Sequence, residues 1–189
     1  MSWYVDGILW VGAIRTVGVG KDFLTLNESV LDAIANAEDS IHIVYDDHTM
    51  TAAISNEFNT IYNQYIVGYG DRKVIQGCST TPSFLYYIGK VYLENIHLVN
   101  NYRSRWLCPA GNLAELHTNQ CIIDDRKNIG CINSSKLKTP TIKLHSTKLI
   151  SYPPPTVAFT EVTLTNVYLD KVSYEGAYTE AYCTGLKAL

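Results

Sequence analysis

Residues 18–34 read GVGKDFLTLNESVLDAI and indicate one capped helix that follows a glycine-rich turn. Thr25 and Glu28 have the spacing of a capping box, in which the threonine oxygen accepts from a helix amide and the glutamate reaches back. Apolar residues then recur with the period of a helix that buries one face. They are Leu26, Val30, Ile34 and Ala37. We therefore predict a helix at about 25–37.

Beyond residue 40 the hydrophobic pattern changes to the two-residue alternation of β-strands. Ile41, Ile43 and Tyr45 alternate with other side chains, and glycines between residues 66 and 77 separate two further strands. Four later strands resemble one another and carry equivalent leucines, at Leu93, Leu116, Leu144 and Leu164. The intervals between these leucines are 23, 28 and 20 residues. An imperfect repeat of this length, made of strands and turns, is typical of a β-solenoid.

Two other architectures share part of this pattern. Leucine-rich repeats have a similar period, but their L-x-x-L-x-L-x-x-N spacing is absent, and a β-sandwich also has short regularly spaced strands. We favour the solenoid because "strand, Asn or Thr, strand" recurs in phase with the repeat. An open solenoid end exposes unpaired backbone, so a plug is needed there. We thus expect an all-β chain of about five to six stacked parallel coils with the helix as an N-terminal cap.

The chain of 189 residues is long enough for one domain with a continuous core. We divide it into an N-terminal strand and attachment segment at 1–20, the coils with their capping helix at 21–173, and a C-terminal cap at 174–189. Tyrosines recur at every fourth residue of the last segment, at Tyr174, Tyr178 and Tyr182.

Composition and charge exclude several classes of protein. The formal net charge of -3 offers no electrostatic footprint for nucleic acid or an anionic membrane. The 5 cysteines are an odd number and form no C-x-x-C pair, so we expect reduced, buried thiols rather than disulfides or zinc ligands. The N-terminus has no basic region before its apolar run and no cleavage site, which predicts synthesis in a host cytoplasm without a signal peptide.

Residues 18–34 resemble the entry segment of pectate-lyase-like right-handed parallel β-helix proteins, where a G-x-D-F-x-T-I-x-E-A-I stretch leads into the capping helix. Residues 66–70 are similar to the I-x-G-x-G coil of this superfamily, and Leu93–Ile96 is similar to its L-x-N-I step. The superfamily includes pectate lyases, polygalacturonases, bacteriophage tailspikes and other virion proteins. The resemblance therefore implies a right-handed β-helix over most of the chain and no particular chemistry.

The enzymatic motifs of that superfamily are missing from this sequence. Polygalacturonases carry N-x-D, D-D, G-H-G and R-x-K, of which only Asp-Asp pairs occur here, at 46–47 and 124–125. Pectate lyases place a calcium-binding aspartate cluster beside a catalytic arginine, and no such set stands out. The resemblance is therefore closest to small bacteriophage virion proteins of the decoration, fibre or tailspike type, which commonly form homotrimers.

The best enzymatic candidate is Asp124–Asp125–Arg126. Two carboxylates on a solvent-facing coil can bind calcium or divide the acid and base roles of glycoside cleavage. We favour the alternative, in which Asp124, Asp125 and Arg126 form a polar turn after a strand at 121–123. Asp46, Asp47 and His48 are likewise interpreted as turn residues that follow a strand.

Two further groups have a chemical and a plainer interpretation. Three histidines fall on strands at similar coil positions, at His97, His117 and His145. A column of them can bind a metal, but we favour an outward-facing polar ladder and expect no metal and no cofactor. Arg103, Arg105 and Trp106 can grip a sugar or an acidic surface, and an ordinary exposed loop is the favoured interpretation.

These features predict a structural, non-enzymatic virion protein, either a capsid decoration or cement protein or a small fibre or spike component. The chain lacks an export signal and catalytic motifs, and it contains 14 tyrosines. We expect attachment to other virion proteins and a homotrimer, with no nucleic acid or membrane partner. The expected attachment and assembly residues are Trp3, Tyr4, Trp10, Tyr174, Tyr178 and Tyr182.

Two alternatives remain open. The first is a polysaccharide-binding or depolymerising β-helix, a lyase or glycoside hydrolase, with Asp124, Asp125 and Arg126 as its active cluster. The second is a cytoplasmic scaffold module that is unrelated to viruses.

Overall fold

The computed structural model describes the backbone of residues 3–5, 8–51, 54–55, 62–77, 83–87, 89–99, 105–109, 115–125, 141–151, 167–176 and 186–188. Side chains are described for residues 11–51, 62–77, 89–99, 115–124, 141–150 and 170–173.

Nineteen strands and one helix occur in these residues. They are β1 (Trp3–Val5), β2 (Ile8–Trp10), β3 (Ala13–Val17), α1 (Leu26–Ala35), β4 (Ser40–Val44), β5 (His48–Thr49), β6 (Ile54–Ser55), β7 (Gln64–Gly68), β8 (Lys73–Gln76), β9 (Ser83–Tyr87), β10 (Lys90–Glu94), β11 (Ile96–Val99), β12 (Arg105–Pro109), β13 (Glu115–Asn119), β14 (Ile122–Asp125), β15 (Thr141–His145), β16 (Lys148–Ser151), β17 (Val167–Asp170), β18 (Ser173–Gly176) and β19 (Leu186–Ala188).

Three parallel sheets run along the molecule. The first has the order β19-β17-β15-β13-β10-β7-β4-β3, the second β18-β16-β14-β11-β8-β5, and the third β12-β9-β6. Consecutive strands of the chain belong to different sheets, and each pairs in parallel with its equivalent in the next coil. This topology confirms the parallel β-solenoid. The exception is β1–β2, an antiparallel pair in which Trp3 lies opposite Trp10.

The number of complete coils differs from the prediction. About three turns show a strand in every sheet, namely β4–β5–β6, β7–β8–β9 and β10–β11–β12. This is fewer than the five to six predicted, because the segments that follow β14, β16 and β18 lie outside the described residues. The first two sheets continue beyond these three turns to β19 and β18.

The predicted helix is confirmed, with its last turn shorter than expected. The Glu28 carboxylate accepts from the amides of Thr25 at 3.0 Å and Leu24 at 3.1 Å, as a capping box requires. Ala37 was predicted inside the helix, but its φ of 58° ends it. The amides of Ala37 and Glu38 then bond back to the final helical carbonyls, which satisfies groups that the helix end leaves open.

The core lies along the solenoid axis and includes the inward face of the helix. Leu26 and Val30 of α1 belong to the same buried cluster as Val44, Ile66 and the later coils. The helix therefore closes the first end of the core, where stacked coils would otherwise expose apolar side chains.

Each coil turns from the first sheet to the second through one residue with a positive φ. These corner residues are Asn95, Gln120, Ser146 and Lys171. Their backbone amides continue the ladder between coils, for example from Gln120 to the His145 carbonyl. Successive corners are consequently stacked at the spacing of neighbouring strands, about 4.8 Å.

Candidate functional site

The outer face of the first sheet carries a column of aromatic side chains. Tyr65, Tyr92, His117 and Lys143 occupy equivalent positions on successive strands. The rings of Tyr92 and His117 stack at 4.3 Å between centroids with an angle of 28°. Tyr65 meets Tyr92 edge-on at 6.3 Å. The parallel register of the strands produces this column, since it places the same side of each coil one above the other.

Two carboxylates lie beside this column. The Tyr65 hydroxyl donates to Glu94, and burial together with that carboxylate raises the pKa of Tyr65 far above its usual value. Glu115 accepts from Lys90 Nζ and His117 Nε2, each at 2.9 Å. Burial acts to raise the pKa of Glu115, but the hydrogen bonds from Lys90 and His117 outweigh it and lower that pKa. Aromatic faces beside ionised carboxylates can bind a sugar by packing and by accepting from its hydroxyls.

The structure places only part of the predicted enzymatic cluster. Asp124 is in β14, a strand where a turn was favoured, and it is 5% exposed. Its Oδ2 lies 3.8 Å from His97 Nε2. Asp125 ends the same strand, its side chain is outside the described residues, and Arg126 is outside them altogether. The catalytic role of Asp124, Asp125 and Arg126 stays a prediction.

The predicted attachment residues are also placed only in part. Trp3, Tyr4 and Trp10 belong to the β1–β2 pair, and Tyr174 lies on β18 next to Leu149 of β16. The side chains of these four residues lie outside the described part of the structure, as do Tyr178 and Tyr182 entirely.

The histidine column is wrong. His97 lies on β11 of the second sheet, whereas His117 and His145 lie on the first. Even there His117 pairs with Lys143 and His145 with Asn119, so the two rings occupy different columns. His145 Nδ1 instead contacts Asp170 Oδ2 at 2.5 Å. Loops of unequal length separate the strands, and these shift the register that sequence spacing suggested.

The turn interpretation of Asp46, Asp47 and His48 is confirmed for all three side chains. Asp46 Oδ2 accepts from the Val19 amide and Asp47 Oδ1 from the Val74 amide, both at 2.8 Å. His48 Nε2 accepts from the first amide of α1 at Leu26, over 3.1 Å. These contacts fasten neighbouring coils and the helix, and they leave no carboxylate–imidazole pair for catalysis.

Sequence reasoning missed a buried polar chain between the helix and two coils. Ser29 Oγ lies 2.7 Å from His42 Nδ1, and His42 Nε2 lies 2.6 Å from Gln64 Oε1. A serine beside an imidazole suggests a nucleophile and base, but all three side chains are fully buried and no substrate can reach them. The only sequence signal was His42 inside an otherwise apolar strand.

Exposed apolar side chains concentrate at the capped end. Of the six large hydrophobic residues exposed among the described side chains, five lie between residues 11 and 31. They are Val11, Ile14, Val19, Leu24 and Leu31. We call this group the capped-end surface. It surrounds β3, which is the last strand of the first sheet at that end.

No protein-family model, curated protein or solved structure matches this chain. Among the described side chains, no group of three or more His, Cys, Asp or Glu residues is placed to hold a metal. The described part of the chain also contains no helix with the length and apolar character needed to cross a bilayer.

Proposed function

We propose that this protein is a non-enzymatic structural component of a virion, a capsid decoration protein or a small fibre or spike component. In this proposal it is a right-handed β-helix of the pectate-lyase-like type that acts as a homotrimer. The observation that carries the proposal is the capped-end surface, where apolar side chains are exposed on a rigid, capped solenoid.

The position of these side chains supports attachment through that end. Val11 and Ile14 lie at the edge strand β3, and Leu24 and Leu31 belong to the turn and helix that cap the core. A contiguous apolar patch on a soluble protein marks a surface that another protein covers. Interfaces of this kind hold by buried apolar area and need no catalytic group.

The test is assembly and partner binding by the intact chain. Light scattering coupled to size exclusion should give three times the 21.1 kDa chain mass. Purified capsid and tail proteins encoded beside this gene should be retained by it, and Val11→Ser with Leu24→Ser should weaken that retention. Tyr69→Ser is the matched control, because Tyr69 is exposed outside the capped-end surface. A strict monomer that retains none of these proteins would overturn the proposal.

The second candidate is a polysaccharide-binding β-helix, favoured by the column of Tyr92 and His117 beside Glu94 and Glu115. Affinity electrophoresis in gels containing pectin or capsular polysaccharide tests it. Retardation that Tyr92→Ala abolishes and Lys143→Gln leaves intact supports binding at this column. Release of reducing or unsaturated ends, lost in Asp124→Asn, would add an enzymatic activity, whereas equal mobility in all gels contradicts this candidate.

A further inference from the structure

A cleft of about 290 Å³ opens at the corner where β13, β15 and β17 turn into β14, β16 and β18. Three of its lining residues are cations, Arg72, Lys148 and Lys171. Three others carry hydroxyl groups, Ser146, Thr147 and Ser173. No carboxylate is among the described residues that line it, although the chain as a whole has a net charge of -3.

The stacked corners of the solenoid determine this grouping. Ser146 and Lys171 are the corner residues of consecutive coils, with φ of 45° and 52°. They are therefore about 4.8 Å apart along the axis, and Lys148 follows two residues after the first of them. The repeat of the backbone thus places positive charge and hydroxyl donors side by side.

Arg72 reaches the cleft from an earlier coil and is held in place. Its Nε donates to the Gln120 carbonyl at 3.0 Å, across 48 residues of sequence. Gln120 is the corner that precedes Ser146, so this bond holds the guanidinium against the cleft. Its terminal nitrogens are the donors that the bond does not use, and a guanidinium with fixed orientation suits a tetrahedral oxyanion.

Two other groups in the cleft have structural roles. Thr147 Oγ1 donates to the His145 carbonyl at 2.8 Å and contacts Thr118 Oγ1 at 2.7 Å. The Cys121 thiol is buried and bonds to carbonyl oxygens of Leu93 and Asn119. Ligand contacts are consequently assigned to the three cations and to Ser146 and Ser173.

We propose that this cleft binds a phosphate or sulfate group, either as the free ion or as an ester on a small ligand. Its volume is near the lower end of small-molecule sites, which leaves room for more than the oxyanion itself. The proposal is independent of the virion role, because it rests on a different face of the molecule from the capped-end surface.

The experiment titrates the intact chain with inorganic phosphate and inorganic sulfate at ionic strength held constant with chloride. Amide resonances of Ser146, Lys148 and Lys171 should shift with saturation, and chloride alone should leave them unchanged. Glucose 6-phosphate and glucose 6-sulfate form the other arm. Tighter binding of the esters assigns an esterified ligand, and equal binding assigns the free ion.

Lys171→Gln is the test variant, since Gln120 shows that glutamine adopts the same corner conformation. Loss of one charge-assisted contact should weaken oxyanion binding about tenfold. Lys143→Gln is the control for net charge, because Lys143 is exposed on the outer face of the first sheet and should leave the affinity unchanged. Equal affinities of the two variants, or equal shifts with chloride, would overturn the proposal.

Discussion

His42 on β4 and Gln64 on β7 are joined inside the solenoid by a hydrogen bond of 2.6 Å from the imidazole Nε2 to the amide Oε1. The amide nitrogen of Gln64 faces the Glu38 carbonyl at 3.4 Å, so its oxygen is the group that accepts. The imidazole then carries its hydrogen on Nε2, and Nδ1 accepts from the Ser29 hydroxyl. This chain of bonds ties the capping helix to two coils and requires a neutral ring.

The first prediction concerns the dependence of stability on pH. Burial lowers the pKa of His42 to about 4, with the charge of Arg15 acting in the same direction and the bond to Gln64 opposing it. The ordinary pKa is about 6.5 in the unfolded chain, so between these values only the unfolded chain takes up this proton. The free energy of unfolding should therefore fall by about 3 kcal/mol from this group as pH drops from 7 to 4.

Urea unfolding of the wild-type protein and of His42→Gln at several pH values measures this contribution. The other histidines are present in both proteins and cancel in the difference. The variant should lose less stability than the wild type on acidification. Parallel pH profiles of the two proteins would show that His42 is not the responsible group.

The second prediction compares a buried ion-pair network with a surface pair. Arg15 is 7% exposed and bonds to Asp32 at 3.0 Å, Glu38 at 2.7 Å and Ser40 at 2.7 Å. Arg15→Met should lower the free energy of unfolding by about 2 kcal/mol, since Ser40 stays buried while the carboxylates can rehydrate.

Lys90→Met is the matched change, because it removes the partner of Glu115 from a half-exposed pair. It should lower the free energy of unfolding by less than about 1 kcal/mol. Both values come from urea titrations at pH 7. A Lys90 variant as unstable as the Arg15 variant would contradict the assigned role of the buried network.

The third prediction concerns two glycines of one turn. A Cβ on Gly68 would lie 2.3 Å from the Asn95 carbonyl oxygen in the next coil, so Gly68→Ala forces neighbouring coils apart. We expect a loss of about 3 kcal/mol. Gly70 has a φ of 71° with open space around it, so Gly70→Ala should cost only about 1 kcal/mol of conformational strain. Thermal unfolding of both variants orders them, and a reversed order would contradict the coil spacing.

The fourth prediction concerns the reactivity of a cysteine. Burial raises the pKa of the Cys121 thiol to about 12, and hydrogen bonds and the charge of Arg72 only partly oppose this. Because the thiolate is the reactive form, iodoacetamide at pH 8 should modify Cys121 at least about a hundredfold more slowly in the folded protein than in urea. Peptide mapping by mass spectrometry measures both rates, and equal rates would show that the thiol is accessible.

The capping helix and the solenoid class were determined by the sequence itself. Residues 25–37 combine a capping box with a helical period, and the strands beyond them repeat with turns between, so local preference and burial agree on one answer. Glu28 behaves as its spacing predicts, because a capping box depends only on neighbours within one helical turn.

Tertiary structure alone decided which side chains meet across coils. Ser29 and His42 are 13 residues apart, His42 and Gln64 are 22 apart, and Arg72 reaches Gln120 over 48 residues. Loops of unequal length add to each coil, so sequence spacing does not determine which corner or column a residue joins. The misplaced histidine column, the burial of Asp124 and the cationic cleft all follow from that register, which the packing of successive coils sets.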